Sequence, residues 1–170
     1  MLDVSKALSN PGQLYPFTAS FVFEEMDVMG DTIRFENTVL SGDYMSADEK
    51  INVNGEIETT VHAHCANCLE PVTEKMVVEV DEVFARNAIL METEEYPLDG
   101  HSIALEPMVQ DRLLLELPIR FLCKPDCLGL CPVCGKNRNK NQCTCPEGGE
   151  VTNPFSALSK LLNVETNEEV

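Results

Sequence analysis

No stretch of this 170-residue chain approaches the run of ~20 apolar residues that a membrane-spanning helix needs. The opening residues, Met1 to Phe17, hold neither an apolar central run nor a small-residue cleavage site, which predicts no signal peptide and a cytoplasmic location. Basic charge is scarce: 12 Lys and Arg stand against 29 Asp and Glu, a net of −17. Non-specific nucleic-acid affinity rests on cations that neutralise phosphates, so the chain as a whole should be repelled by a phosphate backbone. Such acidity either suits a basic partner or serves solubility alone, and composition does not separate the two. Catalytic signatures are missing as well. The chain has no Gly-rich phosphate loop, no G-x-S-x-G and no H-E-x-x-H. Its adjacent carboxylates, Glu24-Glu25, Glu94-Glu95 and Glu168-Glu169, read as solvated faces or tails. No enzyme and no small-molecule substrate are expected.

What the chain does have is cysteine. Eight are present, at positions 65, 68, 123, 127, 131, 134, 143 and 145. In a reducing cytosol an even cysteine count points to metal or thiol chemistry before disulfides. Two Cys-x-x-Cys pairs, one Cys-x-x-x-Cys and one Cys-x-Cys together predict structural zinc, which favours four thiolates in a tetrahedron. Cys131-Pro132-Val133-Cys134-Gly135-Lys136 has the form of a zinc knuckle, with Pro132 fixing the turn and Gly135 free to take a positive φ. Cys143 and Cys145 follow closely enough to complete that site. Cys65 and Cys68 would then join Cys123 and Cys127 at a second one. A single zinc with the remaining thiols spare is the alternative. A thiol redox or zinc-dependent enzyme using Cys65 and Cys68 is the competing function. A redox pair favours a helix N-terminus, however, whereas Cys65 follows a strand. His62 and His64 could replace a cysteine ligand, although exposed histidines at a hairpin tip are the commoner case.

The expected fold is α+β: a mostly antiparallel sheet with one core helix, a zinc-binding cysteine-rich segment and a short C-terminal helix. The first 16 residues read as loop, with a turn at Asn10-Pro11-Gly12. Strands are predicted over Thr18–Glu24 and Thr32–Leu40, the second closed by a turn at Ser41-Gly42-Asp43. Ile51 to Val61 alternates, with Ile51, Val53, Ile57 and Val61 on one face and Asn52, Asn54, Glu56, Glu58 and Thr60 on the other. That is a half-buried strand. It leads into Cys65, and a strand over Thr73–Ala85 returns, placing the first cysteine pair at a hairpin tip. Glu92 to Gly100 reads as an acidic loop, and Pro107 to about Glu116 as the core helix, stopped by Pro118. The division expected is a sheet body over 1–118, a zinc-binding segment over 119–147 that needs metal to order it, and a helix (Phe155–Leu162) with an acidic tail over 148–170. The stretch Leu117 to Cys145 carries five cations, among them Lys136, Arg138 and Lys140, against Asp126 alone. The reading there is a small basic patch suited to RNA or a partner.

The order of these motifs resembles the YceD family of bacterial proteins. The resemblance lies in His64-Cys65-Ala66-Asn67-Cys68-Leu69-Glu70-Pro71, the helix-ending Leu117-Pro118, and the run Cys123-Lys124-Pro125-Asp126-Cys127-Leu128-Gly129-Leu130-Cys131-Pro132-Val133-Cys134-Gly135-Lys136-Asn137. Cys143-Thr144-Cys145 and Asn153-Pro154-Phe155-Ser156-Ala157-Leu158 complete it. The resemblance implies a role in producing or stabilising 23S rRNA during large-subunit assembly, without enzymatic activity. From the charge, one expectation is that the acidic body engages a basic ribosomal protein or assembly factor while the basic patch touches rRNA. The competing one is a metal-stabilised module that binds protein alone and reaches rRNA indirectly.

Overall fold

Strict alternation of apolar and polar residues, sustained over long stretches, makes the centre of this protein a sheet. The computed structural model describes residues 1–86, 88 and 94–145. In chain order the elements are β1 (Leu2–Asp3), α1 (Ser5–Ser9), β2 (Tyr15–Phe21), β3 (Met26–Val28), β4 (Asp31–Ala47), β5 (Lys50–His64), β6 (Pro71–Ala85), β7 (Tyr96–Asp99), β8 (Ser102–Ile103) and α2 (Leu105–Leu115). The sheet runs β1-β8-β7-β6-β5-β4-β2, with β3 paired to β4. All pairings are antiparallel except β6 with β7. The chain divides into two compact units, Met1–Pro125 and Asp126–Val170.

The first unit owns the sheet and its core. Ile51, Val53, Ile57 and Val61 point inward from β5 and are buried. Val78, Val80 and Phe84 from β6 join them, as do Leu105, Met108, Val109 and Leu113 of α2. The opposite face is polar and acidic: Asp43, Asn54 and Asp81 share one cross-strand row, and Ser41, Glu56 and Glu79 the next. α2 is tied to β6 through Arg112, which donates to the Glu79 carbonyl at 3.1 Å and lies 3.6 Å from the Glu82 carboxylate.

Several expectations are met and several are corrected. The β5–β6 hairpin and the core helix form as read, the helix starting two residues before Pro107. The expected turn at Ser41–Asp43 does not exist: β4 runs straight through it to Ala47, and the chain reverses at Asp48-Glu49, both at positive φ. Gly42 is instead in register with Gly55, where the strands approach so closely that a Cβ on Gly42 would sit 2.0 Å from the Asn54 carbonyl oxygen. The opening 16 residues are not all loop but include β1 and α1, anchored by Val4 and Ala7, which are buried. The acidic stretch after Glu92 contains β7. Upstream, β4 carries a bulge between Glu36 and Val39, with Asn37 at φ 56°. There the buried hydroxyls of Thr38 and Thr59 satisfy each other at 2.8 Å.

β2 ends the sheet on its side among the described residues, pairing with β4 alone, and it contains Pro16. Among the described residues no helix is long and apolar enough to cross a membrane. The C-terminal helix expected over Phe155–Leu162 lies outside the described residues.

Candidate metal centres

The two Cys-x-x-Cys turns are built alike. In the first unit, His64 of β5 pairs with Pro71 of β6. Between them Cys65 N–H donates to the Glu70 carbonyl at 2.8 Å, and Leu69 N–H donates to the Cys65 carbonyl at 2.8 Å. In the second unit, Leu130 forms an antiparallel bridge with Asn137. Between those, Cys131 N–H donates to the Lys136 carbonyl and Gly135 N–H to the Cys131 carbonyl, again each at 2.8 Å. The residue after the second cysteine is left-handed in both turns, Leu69 at φ 61° and Gly135 at φ 70°. Such a turn brings two sulfurs to one point and aims main-chain N–H groups at them.

Each turn meets a second pair of thiols. Ala66 N–H donates to the Phe121 carbonyl at 2.9 Å, which draws the segment after α2 toward the first turn. Cys68 Sγ then lies 3.6 Å from Cys123 Sγ. The sulfurs of Cys65, Cys68, Cys123 and Cys127 all fall within 4.8 Å of one another, and so do those of Cys131, Cys134, Cys143 and Cys145. A tetrahedron of thiolates with ~2.3 Å bonds has edges of about 3.8 Å, so both groups match the dimensions of a four-thiolate site. The two clusters of four could each hold a metal ion. Asn139 supports the first group: its side-chain N–H donates to Cys127 Sγ at 3.2 Å, while its carbonyl oxygen accepts from Leu128 N–H at 3.0 Å.

The electrostatics differ within the groups. Desolvation opposes ionisation of Cys65, but hydrogen bonds from the main chain of Cys123, Asn67 and Cys68 outweigh it and hold the thiol down at about 6. Main-chain N–H groups of Cys134 and Val133 bring Cys131 to about 6 as well, against desolvation. Hydrogen bonding to Cys134, followed by desolvation and the neighbouring Cys131 thiol, pushes Cys145 up to about 12. Four thiolates cannot share so small a volume without a cation among them.

Neither histidine joins the thiols. His62 Nε2 lies 2.7 Å from Glu36 Oε2 and its Nδ1 lies 3.1 Å from Thr73 Oγ1. His64 Nδ1 lies 3.0 Å from Asp31 Oδ1, and its main-chain N–H donates to Asp31 Oδ2 at 2.9 Å. Lys136, Arg138 and Lys140 are exposed on the second unit, where Arg138 N–H donates to the Gly129 carbonyl and Lys140 N–H to the Asn137 carbonyl.

The model of the family described as large ribosomal RNA subunit accumulation protein YceD matches residues 53–162, a span holding α2 and all eight cysteines. The chain belongs to the YceD family. An uncharacterized protein of Mycobacterium tuberculosis is 38% identical over 95 residues, covering 53% of this chain and 46% of the relative. One from Mycobacterium leprae is 33% identical over 96 residues, covering 53% and 44%. A Zea mays protein described as large ribosomal RNA subunit accumulation protein YCED homolog 1, chloroplastic, is 31% identical over 67 residues, covering 38% and 23%. The chain thus spans about half the length of the mycobacterial relatives it matches. No solved structure matches it. The YceD match begins inside β5, so β1 to β4 lie outside it. Asn139 escaped the reading of the sequence; its signal is a short amide-rich run between the Cys131–Cys134 turn and Cys143.

Proposed function

We propose that this protein is a non-enzymatic ribosome-biogenesis factor that supports accumulation of 23S rRNA during large-subunit assembly, binding protein or RNA in the cytoplasm through a fold closed by zinc. The observation that supports binding over turnover is the matched construction of the two turns, each leading into four thiols with no histidine among them. Zinc in such a site supplies cross-linking and leaves no open coordination position for a substrate. Cys65 and Cys131, held at about 6, are thiols prepared to lose their protons to a metal near neutral pH.

The binding roles follow from charge. Between Met1 and Pro125 the chain has 23 acidic and 8 basic residues, a net of −15, which suits a basic ribosomal protein or assembly factor. Lys136, Arg138 and Lys140, on the zinc-bound segment, would contact rRNA. In cells lacking the gene, the parent chain should restore 23S rRNA, whereas Cys65→Ser and Cys131→Ser should not. Unchanged rRNA in the deletion strain would refute the reading. Direct RNA contact predicts affinity that falls steeply with salt, and a slope that flattens when the three cations become Glu.

A thiol redox function is the second reading, and the observation favouring it is the low-lying Cys65 thiol. Alkylation of the zinc-loaded chain across pH separates the two. Protected thiols support the structural role, and a thiol reacting with a midpoint near neutrality supports redox chemistry.

A further inference from the structure

Two apolar residues of the first unit stand where the backbone disfavours any side chain. Leu69, in the Cys65 turn, has φ 61°, and Met29, in the two-residue turn joining β3 to β4, has φ 55°. Glycine, asparagine or aspartate is the usual occupant of such positions. The matching position of the second cysteine turn is indeed glycine, Gly135. Burial does not account for either side chain, since Leu69 is 64% exposed and Met29 91% exposed.

Both line the same groove. Its cavity is about 450 Å³, within the range of ~300–1,000 Å³ of ligand pockets. Leu115 and Ile119, 74% and 93% exposed, also line it. Below them the lining is largely apolar, with Asp31, His64 and Arg120 as the polar members. Exposed apolar side chains that converge on one concavity mark an interaction surface.

Charge chooses the occupant. The unit carries −15, and exposed Asp27 and Glu116 adjoin the lining residues in the chain. A second copy would bring the same charge, and a phosphate backbone or an anionic membrane would be repelled. We propose that this groove docks a basic amphipathic segment of a protein partner, its apolar face in the cavity and its Lys or Arg side chains toward the acidic surroundings. The proposal rests on the protein-binding part of the function proposed above and names the surface used.

A fluorescein-labelled Leu/Lys peptide of about 14 residues, with its leucines at helical spacing, serves as probe. Its anisotropy is followed on the zinc-loaded full chain. The double variant Met29→Asn/Leu69→Gly removes two apolar contacts while giving both turns residues that suit left-handed backbone, so folding is preserved. It should weaken binding about tenfold or more. Glu56→Gln/Glu79→Gln, on the open sheet face, should change it by less than about threefold. The proposal fails if the groove variant binds as the parent does, or if a scrambled peptide or a Leu/Glu peptide binds equally well. It fails too if truncation after Cys145 strengthens binding about tenfold, since the chain's own C-terminal segment is then the occupant. In the complementation assay, normal 23S rRNA with the groove variant but not with Cys65→Ser overturns the groove and leaves the ribosomal reading standing. Peptide binding that depends on the groove, together with unchanged rRNA in the deletion strain, does the reverse.

Discussion

Asp31 shows how much one side chain can organise near the first cysteine turn. Both of its oxygens engage His64, one through the ring and one through the main-chain N–H. Desolvation works against its ionisation, but those bonds outweigh it and its pKa falls below the ordinary carboxylate value. A carboxyl lowered on folding contributes stability that is full above its unfolded pKa, ~3.9 for Asp, and is lost as pH falls through the folded value. Asp31→Asn should therefore melt below the parent at neutral pH, and the two curves should converge in acid; thermal melts from pH 7 down to 2 check this. At this scale the sequence is partly readable. Cysteine spacing displays which thiols can share a metal. The bonds of His62 to Glu36 and Thr73, and of Asn139 to Cys127, join residues 11 to 26 positions apart and depend on strand register and loop shape, which no local pattern reveals.

Strands and helices follow the same division. The β5–β6 hairpin is legible because its period-two pattern is clean and both ends are marked. β4 is not, because Ser41-Gly42-Asp43 has the composition of a turn while its conformation is set by the neighbouring strand. Gly42 is needed there for proximity to Gly55, a cross-strand fact. Gly42→Ala would place a methyl against main-chain atoms that cannot swing aside, the Asn54 carbonyl oxygen at 2.0 Å among them. The expected cost is about 1–3 kcal/mol, typical of a forced steric overlap. Urea midpoints of the variant and parent measure it. An ordinary exposed strand glycine would gain stability from the same change. α1 is illegible for another reason: five residues are too few to show a helical period, and its order comes from Val4 and Ala7 packing into the core.

For the whole molecule, the two units differ in what holds them. The first is held by apolar side chains of the long strands and α2. Between Asp126 and Cys145 only Gly129 and Cys131 are buried, so that stretch has no core to order it. Chelation should therefore abolish amide-exchange protection over 126–145 and leave the far-UV sheet signal largely intact; exchange mass spectrometry with circular dichroism tests both halves. Collapse of the sheet signal would contradict the division. The end of the sheet carries a different consequence. A strand with one unpaired side is a template on which foreign strands polymerise, and proline at such an edge withholds a donor from any newcomer. Among the described residues β2 has that position, and Pro16 lies within it. Pro16→Val leaves the net charge unchanged and should give faster concentration-dependent light scattering below the melting transition, where unfolding does not contribute. By this reading Pro16 would guard the edge against amyloid-like growth.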